Sequence, residues 1–120
     1  MSKNLAFVIE DSADLSEIFS RALETAGFEV ESRLDGLIAQ TRLKETIPNV
    51  IVLDMHLPSV DGPTLLKQIK ADERLSKTRI IIATADSAQA EFYRSMATIV
   101  MIKPITFSSL RDISARLKVE

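Results

Sequence analysis

The groups best suited to chemistry in this 120-residue chain stand at the ends of short apolar runs. Asp54 closes the run Val50 to Leu53 in the stretch NVIVLDMHLP, where a carboxylate is either turn chemistry or a reactive group. Glu10 and Asp11 follow the run Leu5 to Ile9, Thr84 follows Ile80 to Ala83, and Lys103 with Pro104 follows Ile99 to Ile102. If these ends share one edge, three carboxylates, a hydroxyl and an ammonium meet there. At about 4 Å and an effective dielectric of about 20, each like-charged pair costs about 4 kcal/mol, more in total than one lysine offsets. A divalent cation can offset it. Hard oxygen ligands, one histidine and no cysteine favour Mg²⁺ or Mn²⁺ over zinc. Magnesium keeps several waters and is readily shared with phosphate, so the set reads as phosphoryl transfer. One carboxylate would attack, and Lys103 and the Thr84 hydroxyl would stabilise charge on the equatorial oxygens.

Convergence of this kind needs strands that run in the same direction. The apolar runs have strand length, and helical spacing fills the gaps between them. Leu15, Ile18, Phe19, Ala22, Leu23 and Ala26 recur at i, i+3, i+4, with Gly27 at the place of a C-terminal cap. Phe28 to Val30 reads as a short second strand. A helix is expected over Leu37 to Ile47, with Ala39, Leu43 and Ile47 on its apolar stripe. After the loop bearing Pro58, Gly62 and Pro63, Leu65, Leu66 and Ile69 mark a third helix. Ala88 to Ala97 marks a fourth, and Phe107, Leu110, Ile113 and Leu117 mark a fifth. Strict alternation of strand and helix predicts an α/β fold, a doubly wound parallel sheet with right-handed crossovers and helices on both faces. The central runs lack in/out alternation, as strands covered on both sides do. In such sheets ligands sit beyond the carboxyl ends of the strands, which is where the reactive set lies.

Length and composition bound the rest. The length fits a single compact domain over residues 1–120, and 46% apolar with 27% charged residues can supply its core. Fifteen basic and 17 acidic residues give a net charge of −2 with no basic stripe, so direct nucleic-acid binding is not expected. The apolar run in MSKNLAFVIE is too short for a signal peptide and nothing approaches a membrane span, so a cytoplasmic protein is expected.

The acidic pair Glu10-Asp11, the stretch DMHLPSVDG with Pro58 and Gly62 four and eight residues past Asp54, Thr84, and the Lys103-Pro104 pair occur in this order. Together they resemble the response-regulator receiver domain of two-component signalling, across essentially the whole chain. The resemblance implies a flavodoxin-like (βα)5 fold of five strands. It implies that Asp54 is the phosphoacceptor, served by a sensor histidine kinase, a phosphotransfer protein or a small acyl phosphate. Asp11 and Asp54 would ligate Mg²⁺ (or Mn²⁺) directly, Glu10 through water, and His56 through its backbone carbonyl, with the His56 side chain over the site mouth. Lys103 would pair with the phosphoryl oxygens, Thr84 would swing inward to them as the switch, and Lys103-Pro104 would be cis. The implied output is a downstream protein or an attached output domain, and homodimers through the fourth helix, fifth strand and fifth helix are common in the family. Such a domain is a signalling phosphoacceptor, with self-phosphorylation and self-dephosphorylation as its only catalysis.

Plainer readings exist for each residue. Asp54 could be a turn aspartate, Glu10-Asp11 could cap the first helix, and Thr84 could be an ordinary strand threonine. Two departures from the family pattern also stand out. The position three before Lys103 is Val100 rather than an aromatic, and a valine has one stiff χ1 and no ring to move. The crossover from Thr84 to Lys103 is short by about one helical turn, which predicts a shortened or displaced fourth helix. Phe92 or Tyr93 would then supply an aromatic or pack in the core. These departures suit a pseudo-receiver, a phosphorylation-independent protein-binding module; the full acid, threonine and lysine set opposes it. A Mg²⁺-dependent phosphatase would need a second acid near Asp54, and the residue two past it is His56.

Overall fold

The computed structural model describes residues 4–118. Five strands form one sheet: β1 (Leu5–Ile9), β2 (Glu29–Arg33), β3 (Val50–Asp54), β4 (Arg79–Thr84) and β5 (Ile99–Ile102). They alternate with α1 (Ala13–Thr25), α2 (Gly36–Glu45), α3 (Gly62–Ala71), α4 (Ser87–Tyr93) and α5 (Phe107–Ala115), and a 3₁₀ turn at Glu73–Leu75 precedes β4. All pairings are parallel in the order β2-β1-β3-β4-β5. The chain leaves β1 toward one edge and returns to build outward from β3 toward the other. The carboxyl ends of β1 and β3 therefore flank the point where strand order reverses, the crevice of a doubly wound, flavodoxin-like fold.

The strands divide their side chains between two cores. Phe7, Ile9, Ile51, Leu53, Ile80 and Ile82 face α2, α3 and α4, while Ala6, Val8, Val50, Val52, Ile81 and Ala83 face α1 and α5. β1 and β3 are buried on both faces, which is why their sequences read as unbroken apolar runs. α1 ends as expected: Ala26 is the C-cap, Gly27 has φ +106°, and Gly27 and Phe28 N–H donate to the Glu24 and Leu23 carbonyls, a Schellman closure.

β2, α2 and α4 differ in their bounds from the sequence reading. β2 is not Phe28 to Val30 but Glu29–Arg33, because its register is set by pairing with Leu5–Ile9 rather than by apolarity. Phe28 instead fills the α1–α5 core. As an edge strand β2 can carry polar residues, and Glu31 there takes Arg42 of α2 in two bonds of 2.6 and 2.9 Å as well as Arg33 at 3.1 Å. α2 stops at Glu45 with Thr46 extended, so Ile47 lies outside the helix and is 57% exposed. Pro48 accounts for this: its ring disfavours helical backbone at the preceding residue. α4 is Ser87–Tyr93 rather than Ala88 to Ala97; its seven residues are the shortening that the crossover length predicts.

The loop after Asp54 is pinned to α2. Pro58 accepts from Gly36 N–H at 3.3 Å, and the Ser59 hydroxyl donates to the Asp35 carboxylate at 2.8 Å. Gly62, the first residue of α3, lies so close to Asp54 and Met55 that a Cβ would overlap their backbone. Alanine ordinarily favours a helix over glycine. Here the sign reverses: Gly62→Ala is expected to destabilise the protein by about 3 kcal/mol, the upper range for overpacking against an unyielding neighbour, read as a lower urea midpoint.

Candidate functional site

The sheet ladders deliver the predicted residues to one rim. Asp54 is the last residue of β3, opposite Ala83, and Met55 N–H continues the ladder to the Ala83 carbonyl at 3.2 Å. Glu10 follows β1, its N–H bonded to the Arg33 carbonyl at 3.2 Å, and Lys103 follows β5, its N–H bonded to the Thr84 carbonyl at 2.7 Å. Asp54, Glu10 and Lys103 thus sit at, or one residue beyond, the end of a strand fixed by backbone bonds, and Asp11 two beyond.

Glu10, Asp11 and Asp54 each offer a carboxylate oxygen, and the three oxygens lie within 4.8 Å of one another. Glu10 and Asp54 are 1% and 3% exposed, while Asp11 faces solvent. Lys103 Nζ reaches both buried acids, at 2.9 Å from Glu10 Oε1 and 3.4 Å from Asp54 Oδ1. Backbone donors add to this: Glu10 Oε2 accepts from Ser12 N–H at 3.1 Å, and Asp54 Oδ1, the oxygen that faces Lys103, also accepts from His56 N–H at 3.2 Å. Ser12 is also the N-cap of α1, so the acidic loop and the helix start share one turn. The His56 side chain is exposed. Thr84 is buried at the same rim, but its hydroxyl donates to Gln89 of α4 at 2.9 Å. Lys103-Pro104 is cis. Val100 lies opposite Ile82 and packs against the α2–α4 core, Tyr93 is buried, and Phe92 is 70% exposed with its ring edge-on to Tyr93 at 5.0 Å. Of the two α4 aromatics, Tyr93 is the one that packs in the core.

The electrostatics follow from burial. Desolvation pushes the Glu10 carboxyl up to about 7, with Asp54 adding to the rise and the Lys103 and Ser12 hydrogen bonds opposing it. Burial alone would lower the Lys103 ammonium, but Glu10 and Asp54 outweigh it and hold it above the usual lysine range. One cation thus faces two buried carboxylates and a third at the surface. A site with this surplus of hard oxygen donors, open on one side, fits a small divalent cation that keeps part of its water shell.

Compared with known proteins, the response regulator receiver domain family matches residues 6–115. The chain belongs to that family. This receiver domain is 34% identical over 114 residues to the phosphate regulon transcriptional regulatory protein PhoB of Rhizobium meliloti (strain 1021), covering 92% of this chain and 49% of PhoB. It therefore spans about half the length of that relative. It is 27% identical to the chemotaxis protein CheY-3 of Vibrio cholerae, covering 93% of this chain and 90% of that protein. Among solved structures, the chemotaxis response regulator CheY4 of Vibrio cholerae superposes with a TM-score of 0.87 at 22% identity, over 98% of this chain and all of that one. That likeness speaks for the fold. No helix among the described residues is long and apolar enough to cross a membrane.

Sequence reasoning named every acid of the cluster and its lysine; it missed Gln89, which holds the Thr84 hydroxyl. The signal was present, since Asp86 and Gln89 stand three apart after a strand end, the spacing of a capping box. The raised Glu10 has a measurable consequence. With a folded value near 7 and an ordinary value of 4.5, the native state binds more protons than the unfolded chain between those pH values. Stability of the metal-free protein is expected to fall as pH rises through that window. Glu31, Asp35 and Asp61 are lowered instead, so their contributions are lost at lower pH and leave the window clear. Urea midpoints in EDTA across this range should slope downward in the wild type and flatten in Glu10→Gln.

Proposed function

We propose that Asp54 is the phosphoacceptor of a phosphorylation-controlled switch. The observation that carries the reading is Lys103 Nζ seated 2.9 Å from Glu10 and 3.4 Å from Asp54, where three carboxylates converge. An Asp54 carboxylate oxygen attacks the phosphorus of a phosphohistidine or a small acyl phosphate; the P–O or P–N bond to the leaving group breaks, and the product is an aspartyl phosphate. Glu10, Asp11, Asp54 and the His56 backbone carbonyl would hold Mg²⁺ (or Mn²⁺), which supplies charge neutralisation for the incoming phosphoryl group. Lys103 stays at the rim to pair with a phosphoryl oxygen. The His56 N–H fixes the Asp54 carboxylate, and the exposed His56 side chain governs access of water to the product. Thr84 turns its hydroxyl to the phosphoryl oxygens.

The donor is a sensor histidine kinase or a phosphotransfer protein in the cytoplasm, and residues 1–120 act as one domain. Its output goes to a downstream protein or an attached output domain, and homodimers through α4, β5 and α5 are one form that output can take. The chain's only catalysis is self-phosphorylation and self-dephosphorylation. A pseudo-receiver would have no use for a half-buried lysine held between two buried acids.

Incubation with Mg²⁺ and acetyl phosphate should add one phosphate of mass, lost in Asp54→Asn; an unlabelled wild type would sink the proposal. Lys103→Met is expected to slow labelling about 100-fold, the loss typical of one preorganised donor. His56→Ala should change the dephosphorylation rate measured by phosphate release, and equal rates would remove His56 from its role.

A further inference from the structure

Thr84 closes β4 and is 3% exposed, yet the bonds of its hydroxyl lead into α4. It donates to Gln89 Oε1 at 2.9 Å and accepts from Asp86 N–H at 3.1 Å. Asp86 is the N-cap of α4, and its carboxylate accepts from Ala88 and Gln89 N–H at 2.9 and 3.2 Å. In a capping box the residue three past the N-cap reaches back to the N-cap's own N–H. Here that closure is interrupted. The Thr84 hydroxyl sits between the two groups, taking the Asp86 N–H as acceptor and giving its own proton to Gln89. A threonine of the sheet has become a member of the helix cap.

We infer that Gln89 is a positioning residue, one that holds the Thr84 hydroxyl on α4 and transmits its release to the first turn of that helix. The inference rests on the reading of Asp54 as phosphoacceptor. A phosphoryl group there presents anionic oxygens, and a hydrogen bond to an ionised acceptor is about twice as strong as one to a neutral amide oxygen. The hydroxyl then exchanges Gln89 for phosphate. Asp86 N–H and Gln89 Oε1, both released, can close on each other as an ordinary capping box, so α4 is re-tied rather than unwound. Val100 has no polar group or ring with which to follow a rotation of Thr84. The polar link through Gln89 does follow it.

The test has two arms. In the unphosphorylated protein, three-bond couplings to the Thr84 methyl carbon report its χ1. A single rotamer is expected in the wild type and in Gln89→Glu, which keeps an acceptor oxygen, and rotamer averaging in Gln89→Leu. In the second arm, Gln89→Leu should speed labelling by Mg²⁺ and acetyl phosphate about fivefold, the weight of one neutral hydrogen bond. In a Thr84→Val background the same change should have no effect, since the partner is gone. A fixed Thr84 rotamer in Gln89→Leu, or an equal acceleration without the Thr84 hydroxyl, overturns the inference. A wild type that takes no label, or labels equally as Asp54→Asn, overturns the phosphoacceptor reading instead, and the rotamer arm still decides for or against Gln89.

Discussion

The Lys103 ammonium is the fixed point of this molecule. It lies between two acids almost wholly withdrawn from water, and breaking such an arrangement by removing one partner leaves an uncompensated buried charge. The position of the lysine depends on the sheet. β5 pairs with β4 and not with β3, so the side chain must cross the carboxyl end of β4 to reach Asp54, and β3 as well to reach Glu10. Thr84, which ends β4, is small enough to be passed over. Register along three ladders, the size of one residue and the order of four strands together decide whether the charges meet.

That dependence explains what the sequence disclosed and what it hid. Asp54, Glu10, Thr84 and Lys103 were legible because each follows an apolar run, and in a parallel sheet the ends of such runs share a rim. α4 was legible as short because the crossover had too few residues for more. The exact placement of β2 was not, since an edge strand is held by the neighbour it pairs with, and EVESR carries no apolar period of its own. Ile47 fits the stripe of α2 in spacing, but backbone sterics from Pro48 outrank spacing. The aromatic question at Phe92 and Tyr93 turned on where a seven-residue helix rotates its faces, which composition does not specify.

The bond from Thr84 to Gln89 joins the two halves of the molecule's behaviour. Strand ends are held by ladder bonds, on both sides for β1, β3 and β4 and on one side for β5, and suit a site whose charges must not drift. α4 is the shortest helix and carries a large exposed ring at Phe92, so it has less to hold it in one arrangement. A hydroxyl shared between the rim and that helix lets a change of one hydrogen-bond partner be felt in the first turn of α4.

The acids at positions 10 and 54 leave the ribosome well before the lysine at position 103. Until the last strand has docked, β1 and β3 bring Glu10 and Asp54 together without the ammonium, and only a proton or a divalent cation can offset their repulsion. Synthesis runs from the amino end, so the last strand follows the two that carry the acids. The charge that completes the centre thus arrives with the final strand, and a chain without it would hold the two acids with no ammonium between them.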